Sequence, residues 1–467
     1  MSNPDGKQTA TFVDSVFSRF EALTNLERGG YKPRVYRLER MRRLLAAFDN
    51  PHLRLPTIHI AGSKGKGSTA AFIASILASA GSTATGSTAA GNTAAGPKVG
   101  LYTSPHVSDY RERITINGAF ASDATLAQVG RHLMEFLDDQ ERSDLPTAEL
   151  PTTFEMLTLF AFLVFVQAEC NVCVVETGLG GRLDATNLVD PLCSVLTPIE
   201  LEHTEYLGTT IGEIAFEKAG IIKPGKPVFV SREPPDAIAV FESTARERGC
   251  PLHYLPSEVV RLDAEVDSEG SSYSFVLRDG FSISGRCRLV GRAQVENAAL
   301  AALCTHTLYP SMSAECIARG IERAWLPGRL EIFPGRPPIV VDGAHTPKSV
   351  ERVVDTVLTI FGGIGVCLFG AVLGKDIAGM LAILGRECHE FVVSRPGTFK
   401  ASAPEDIHER LEDMGHTSRF FESPDRALRA ARASCPEHLP VLVVGSFYLA
   451  AEVRKIVMEG GDEKTPR

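Results

Sequence analysis

The chain lacks most of what would tie it to a membrane, to nucleic acid or to an oxidising compartment. Its longest apolar run, Leu157 to Val166, falls far short of the roughly 20 residues that span a bilayer. The opening stretch, Met1 to Ser15, is polar and acidic where a secretion signal would be basic and then apolar. Basic charge is not in excess: 48 lysines and arginines against 57 acids give a formal net charge of −9. That balance argues against a general nucleic-acid binder while leaving room for a local basic pocket. Ten cysteines form no legible disulfide framework, and Cys173, Cys193 and Cys367 fall in apolar strand-like runs, as reduced thiols of a cytoplasmic core would. Cys170-Asn-Val-Cys173 has the spacing of half a zinc site or a redox pair, but no second pair lies nearby, so packing is its reading. The expectation is a soluble, cytoplasmic protein with neither membrane nor nucleic acid as a partner.

What is present suits a large core. At 467 residues, 44% hydrophobic and 22% charged, the chain has room for two or three domains. From Ile58 onward, buried runs (Val172–Glu176, Ser194–Thr197, Val228–Ser231) alternate with longer amphipathic stretches, which predicts an α/β fold with a mostly parallel sheet. Residues 81–97 are a low-complexity insert of Gly, Ser, Thr and Ala, read as a flexible loop. Residues 251–290 read as short strands with turns at Asp267–Gly270 and Asp279–Gly280, ahead of a helix starting near Gln294. Trp325-Leu-Pro-Gly-Arg329 then breaks the pattern. A fresh alternation at Ile339–Asp342, Val366–Leu368, Glu390–Ser394 and Val441–Gly445 predicts a second, smaller doubly wound domain, which divides the chain into 1–326 and 330–467.

The chemistry concentrates first at Ile58-His-Ile-Ala-Gly-Ser-Lys-Gly-Lys-Gly-Ser-Thr69, where a β-branched run breaks into a Gly-rich turn and opens an apolar helix, Ala70 to Ala80. Glycines 62, 65 and 67 let the backbone turn sharply against an anion, and helix-start N–H groups with the Lys66 ammonium would neutralise phosphate. Both intervals differ from the standard Walker pattern: Gly62 and Gly65 are three apart, and Gly67 separates Lys66 from Ser68. A tight strand-to-helix connection without ligand is the alternative.

Two further strands deliver polar groups at their carboxyl ends, the edge where open α/β sheets bind ligands. Val172–Glu176 ends in Glu176, placed to hold Mg²⁺ beside phosphates or, alternatively, to cap a turn. Ser194–Pro198 leads to His203, a metal ligand or a structural histidine. Lys218 lies at a helix end, with a surface salt bridge as its plain reading.

Taken together, Ala61–Thr69, Tyr102-Thr-Ser-Pro-His106, Glu176–Asn187, Glu202–Gly208, Glu217–Gly225, Leu326-Pro-Gly-Arg329 and Val341-Asp-Gly-Ala-His345 resemble the folylpolyglutamate synthase and dihydrofolate synthase family of the Mur ligase superfamily. The resemblance covers nearly the whole chain. It implies a P-loop ATPase domain plus a smaller Rossmann-like C-terminal glutamate-ligase domain, and an ATP-dependent, ADP-forming carboxylate–amine ligase. ATP would be held by Lys64, Gly65, Lys66, Gly67, Ser68, Asn297, Arg329 and Asp342. Ser104 and Glu176 would hold one Mg²⁺ and His203 a second, with Lys218 carbamylated. Lys66, Lys218 and His345 would be catalytic. Thr152, Thr153, Phe154 and Glu155 would form one wall of the pterin pocket and Leu183, Asp184 and Ala185 the other, with Phe154 stacking on the ring and Asp184 accepting its N–H donors.

The implied reaction joins L-glutamate to dihydropteroate and to reduced folates through an acyl phosphate, in a monomer that closes about Leu326–Arg329. Three positions depart from the family pattern: Lys64 and Thr346 each stand where Asn is usual, and Glu202 where Asp is usual. The rivals are a polyglutamate synthase alone, a Mur-type ligase acting on another acid, and a nucleotide switch with no small-molecule acceptor.

Overall fold

A computed structural model of the chain describes residues 4–25, 38–80, 96–142, 150–397 and 401–460. Most of the low-complexity stretch, 81–95, lies outside the described residues, as do 1–3 of the opening stretch. The first sheet is built from β1 (Thr57–Gly62), β2 (Val99–Tyr102), β3 (Ile114–Ile116), β4 (Ala119–Phe120), β5 (Val172–Glu176), β6 (Cys193–Thr197), β7 (Val228–Val230) and β8 (Leu252–Tyr254). Its spatial order is β4-β3-β2-β5-β1-β6-β7-β8. The six strands from β2 to β8 run parallel, and β3 and β4 form an antiparallel extension.

Both faces of this sheet are covered, so its central strands read as continuous apolar runs rather than as an alternation. Along β5, Val172 and Val174 enter one core with Ile58, Ile60 and the helices Lys66–Ser79, Arg292–Leu308 and Ala314–Arg323. Cys173 and Val175 enter the opposite core with the helices Pro4–Glu21, Asp123–Arg142 and Thr153–Gln167. Cys173 thus packs within a strand, and all ten cysteines are free thiols. Among the described residues no helix is long and apolar enough to cross a membrane.

Residues 251–290 contain, after β8, a three-stranded antiparallel sheet of β9 (Val259–Asp267), β10 (Gly270–Leu277) and β11 (Ser282–Cys287). Past it the helix runs Arg292–Leu308, two residues earlier than the sequence suggests. The helix expected over Ala70–Ala80 also starts early, at Lys66, because Gly65 in the left-handed region (φ 81°) turns the chain directly into the first helical turn.

A third sheet comprises β12 (Glu331–Phe333), β13 (Ile339–Val341), β14 (Val366–Phe369), β15 (Glu390–Ser394), β16 (Thr417–Phe421) and β17 (Val441–Val444), in the order β12-β13-β17-β14-β15-β16. Five strands are parallel and β12 is antiparallel to β13. The two edge strands β12 and β16 have no counterpart in the sequence reading.

Register brings the functional segments together. Ile60 pairs with Glu176, Gly62 with Thr197 and Tyr102 with Val175, so the turn after β1, the acid ending β5 and the loops after β2 and β6 leave the sheet at one carboxyl edge.

Candidate active site

The Gly-rich turn is pinned from beneath. The N–H groups of Ser63 and Lys64 donate to the Pro198 carbonyl at 3.0 and 3.1 Å, which ties the turn to the exit of β6. A Cβ on Gly65 would stand 2.6 Å from Asn297 Oδ1, and one on Gly67 3.5 Å from Glu176 Oε2. The turn therefore touches both Asn297 and Glu176, two residues drawn from distant parts of the sequence. Ser68, in the first turn of the following helix, is buried. The first N–H groups of that helix have no acceptor within it, which suits them to an anion.

Three lysines crowd this turn. Lys66 Nζ donates to the carbonyl of Gly62 at 2.9 Å, and Lys218 Nζ donates to the same oxygen at 2.7 Å. Glu202 stands between Lys218 Nζ and Lys64 Nζ, one carboxylate oxygen 3.4 Å from each. Burial works against its charge, yet the ammoniums of Lys218, Lys64 and Lys66 hold Glu202 well below the usual carboxylate range. Lys218 is a buried residue rather than a surface salt bridge. Desolvation lowers its pKa to about 8, against the pull of Glu202. The pocket thus sets three lysines against two carboxylates, Glu202 and Glu176.

His203 sits at φ 49° ahead of the short helix Thr204–Leu207, in a left-handed conformation uncommon for a non-glycine residue. Burial lowers its pKa to about 4 against the influence of Glu202, so the ring is neutral at pH 7 and keeps a lone pair. Glu176 is buried, and desolvation raises its pKa despite Lys66 and Arg329. Its Oε2 accepts the Ser104 N–H at 3.0 Å. One desolvated carboxylate beside a serine fits Mg²⁺, which takes few protein oxygens and completes its shell with water and phosphate. Among the described residues no three His, Cys, Asp or Glu side chains converge into a protein-only metal site.

The third sheet adds its own groups to the same place. Asp342, just past β13, accepts the N–H groups of Leu330 and Ala344, each at 2.7 Å, and burial raises its pKa against Arg329. The Arg329 guanidinium lies over the Phe447 ring at 4.9 Å, and its charge bears on both Asp342 and Glu176. His345 holds its Nδ1 2.8 Å from the Gly343 carbonyl, so Nδ1 carries the proton and Nε2 is the acceptor. Burial, then Lys64 and Lys375, push its pKa well below the ordinary value. Lys64 and His345 are far apart in the sequence, and the charge of the one bears on the ring of the other, so the loop after β13 lies near the turn.

The pocket-wall residues divide by role. Thr152 and Glu155 form a capping box at the start of the helix Thr153–Gln167, and Glu155 also makes a buried two-point ion pair with Arg40 at 2.8 and 3.0 Å. Thr153 Oγ1 donates to the Phe20 carbonyl at 2.8 Å. Asp184 accepts the N–H groups of Gly178, Leu179 and Thr186 together with the Thr186 hydroxyl. These polar atoms frame the wall, and in this conformation Asp184 is saturated by its own chain instead of offering acceptors to a ring. Phe154 is half-buried against Tyr102 and Gly178; Leu183 is exposed and Ala185 buried.

Comparison with known proteins decides the family. The Mur ligase middle domain matches residues 60–305, and the Mur ligase glutamate ligase domain matches 328–447. A dihydrofolate synthase/folylpolyglutamate synthase of Bacillus subtilis (strain 168) is 34% identical over 428 residues, 90% of this chain and 94% of that protein. The chain belongs to the dihydrofolate synthase/folylpolyglutamate synthase family. A Mycobacterium tuberculosis folylpolyglutamate synthase complexed with ADP superposes with a TM-score of 0.83 at 25% identity, over 98% of this chain and all (100%) of that one. An FPGS–AMPPCP–folate complex superposes at 0.78 and 29% identity, over 96% and 99%. Like its family, this chain is an ATP-dependent amide ligase.

Against the family pattern, the three departures now have partners. Lys64 and Glu202 are paired with each other. Thr346 caps the helix Pro347–Phe361, exchanging bonds with Ser349 as an asparagine cap would in part. Lys375, whose charge acts on both His203 and His345, was missed by the sequence reading. Its signal was present: Gly374 and Lys375 follow a buried strand, the same strand–glycine–lysine order as the first turn.

Proposed function

We propose that this synthase joins L-glutamate to dihydropteroate and to reduced folates, using ATP at the Gly-rich turn. The observation that carries the reading is convergence at one carboxyl edge: Lys64, Lys66, Lys218 and Glu176 from the first sheet meet Arg329, Asp342 and His345 from the third. In the first step a substrate carboxylate oxygen attacks the γ-phosphorus of ATP, the bond to the β-phosphate oxygen breaks, and ADP leaves. Two anions must approach for this, and the Lys66 ammonium and helix-start N–H groups neutralise part of that charge. In the second step the glutamate amine attacks the acyl carbon and inorganic phosphate departs with the bonding pair. The neutral His345 imidazole, with Nε2 as acceptor, orients the amine by accepting its N–H, and the departing phosphate carries off the proton that the amine loses.

Glu176 with Ser104, and His203 beside Lys218, would hold the two magnesium ions. Bound there, magnesium supplies charge neutralisation at the transferring phosphoryl group. Asn297, Arg329 and Asp342 would contact the nucleotide, while Phe154, framed by Thr152, Thr153 and Glu155, faces Leu183, Asp184 and Ala185 across the pterin pocket. The lowered pKa of Lys218 favours the neutral amine that carbamylation requires. Ten free thiols fit the cytoplasm, and we take the working form to be a monomer. Domains 1–326 and 330–467 would close on the acyl phosphate, keeping water from it.

The test is ADP release with Mg²⁺, ATP and L-glutamate, with dihydropteroate or tetrahydrofolate added and the amide product identified by mass. Product from both acceptors is the expected result. Product from tetrahydrofolate alone reduces the reading to a polyglutamate synthase, and ADP release indifferent to both acceptors removes it.

A further inference from the structure

Glu200 is a buried acid for which the reaction above has no use. It lies in segment 198–203, the one that carries Glu202 and His203, and only 6% of its surface is exposed. Its cations come from the other sheet's unit: Arg352 Nη2 is 2.7 Å and Lys348 Nζ 3.6 Å from Oε1. Lys348 and Arg352 are four residues apart on the helix Pro347–Phe361, so they share one face.

Each end of this ion cluster leads to the chemistry. On one side, the Glu200 carbonyl accepts the Ser63 hydroxyl at 3.1 Å, and the Pro198 carbonyl holds the N–H groups of Ser63 and Lys64. Ile199 N–H donates to Glu233 Oε2 at 2.9 Å, which braces the same segment from behind. On the other side, the helix carrying both cations is capped by Thr346, immediately after His345. Moving that helix away from Glu200 would carry His345 away from the lysine-rich turn.

We propose that Glu200, Arg352 and Lys348 form a latch between the two units, a set of positioning residues that fixes His345 and Asp342 over the Gly-rich turn. It deepens the proposed function and rests on it. A carboxylate this buried is tolerated only while its cations are in place, so the latch favours the closed arrangement and releases as Glu200 regains water. Both cations are half-exposed, and salt therefore weakens the hold.

The test compares Arg352→Glu, Glu200→Arg and the double variant carrying both, with Glu200→Gln as a milder form. Each is measured for KM of L-glutamate and of ATP, for amide formed per ADP released, and for radius of gyration by small-angle scattering with AMPPCP bound. Placing like charges together should raise the glutamate KM at least about tenfold. ADP should outrun amide, and the AMPPCP-bound form should expand, with Glu200→Gln intermediate. The double variant should recover all three. Singles that keep wild-type KM, coupling and compactness overturn the latch, as does a double variant no better than the worse single while melting like wild type. Wild-type protein that forms no amide with any folate removes the proposed function instead, and the scattering arm then decides the latch by itself.

Discussion

The ion pair of Arg40 with Glu155 separates a frame role from a ligand role for the wall Thr152–Glu155. Both side chains are nearly sealed, at 6% and 8% exposure, and two bonds of 2.8 and 3.0 Å join them. Glu155 Oε2 also accepts the Thr152 N–H at 2.8 Å, while Thr152 Oγ1 accepts the Glu155 N–H at 3.3 Å. Arg40→Met keeps most of the apolar stem but strands a buried carboxylate, which should destabilise the fold by about 3–5 kcal/mol. Glu155→Gln can still serve the capping box yet takes from the guanidinium the carboxylate it faces at 2.8 and 3.0 Å, at a similar cost. In Arg40→Met/Glu155→Gln the ion pair is gone but no buried carboxylate remains and the capping box survives, so the loss should shrink to the bonds lost between the two side chains, about 1 kcal/mol. The singles would then sum to roughly 6–10 kcal/mol, far above the double, and that gap is the coupling of the pair. Urea unfolding followed by circular dichroism reads it. Additive losses would refute the argument, and so would a Glu155→Gln protein of wild-type stability that has lost folate binding, since that result puts the carboxylate on the ligand.

Gly65→Ala should weaken ADP binding at least tenfold by calorimetry, because a left-handed alanine costs about 1–2 kcal/mol and its Cβ would press on Asn297 Oδ1 at 2.6 Å; unchanged affinity would contradict the cradle. Gly320→Ala should lower the melting temperature while leaving the ATP KM alone. There the new Cβ would meet the Ile76 backbone at 2.3 Å, and forcing apart the helices Lys66–Ser79 and Ala314–Arg323 costs about 1–3 kcal/mol. For Lys218, a folded pKa of about 8 against an ordinary 10.5 leaves about a tenth of the amine neutral at pH 7, where an exposed lysine would have about one part in three thousand. Only the neutral amine captures carbon dioxide. Reactivation of bicarbonate-depleted enzyme should therefore quicken as pH rises toward 8 and level off above it, and Lys218→Met should lose about 10–100-fold in turnover. Reactivation that ignores both bicarbonate and pH would set carbamylation aside.

The sequence exposes the parts of this fold whose two faces are both buried. Strands β1, β5, β6, β14 and β17 stand between two helical layers and are buried along their whole length, so each is a mostly apolar run that local reading detects. Strands β3, β4, β12 and β16 escaped it because they lie at or near sheet edges, and β2, interior and four residues long, escaped it as well. Ala119 and Phe120 are exposed, and β16 (Thr417–Phe421) is only partly buried, so neither periodicity nor apolarity marks them. The site shows the same division. Glycines, lysines and strand-end acids carry their chemistry in their own type and position, and that chemistry could be read. What each side chain actually holds could not: Glu155 meets a partner 115 residues away, and Ser63 meets the Glu200 carbonyl across 137.

Partnership over such distances also explains two departures that look separate in the sequence. A lysine at 64 adds a positive charge to the turn that glutamate in place of aspartate does not offset, since both acids carry one negative charge; what glutamate at 202 adds is reach. Glutamate, one methylene longer than aspartate, puts one oxygen 3.4 Å from each ammonium. The two changes therefore act as one. If Lys218 becomes a carbamate its charge reverses, and Glu202 then faces an anion where it faced a cation. Lys64 is already beside that carboxylate, so one ammonium would stay against Glu202 once the lysine is modified, while Lys66 keeps its bond to the Gly62 carbonyl.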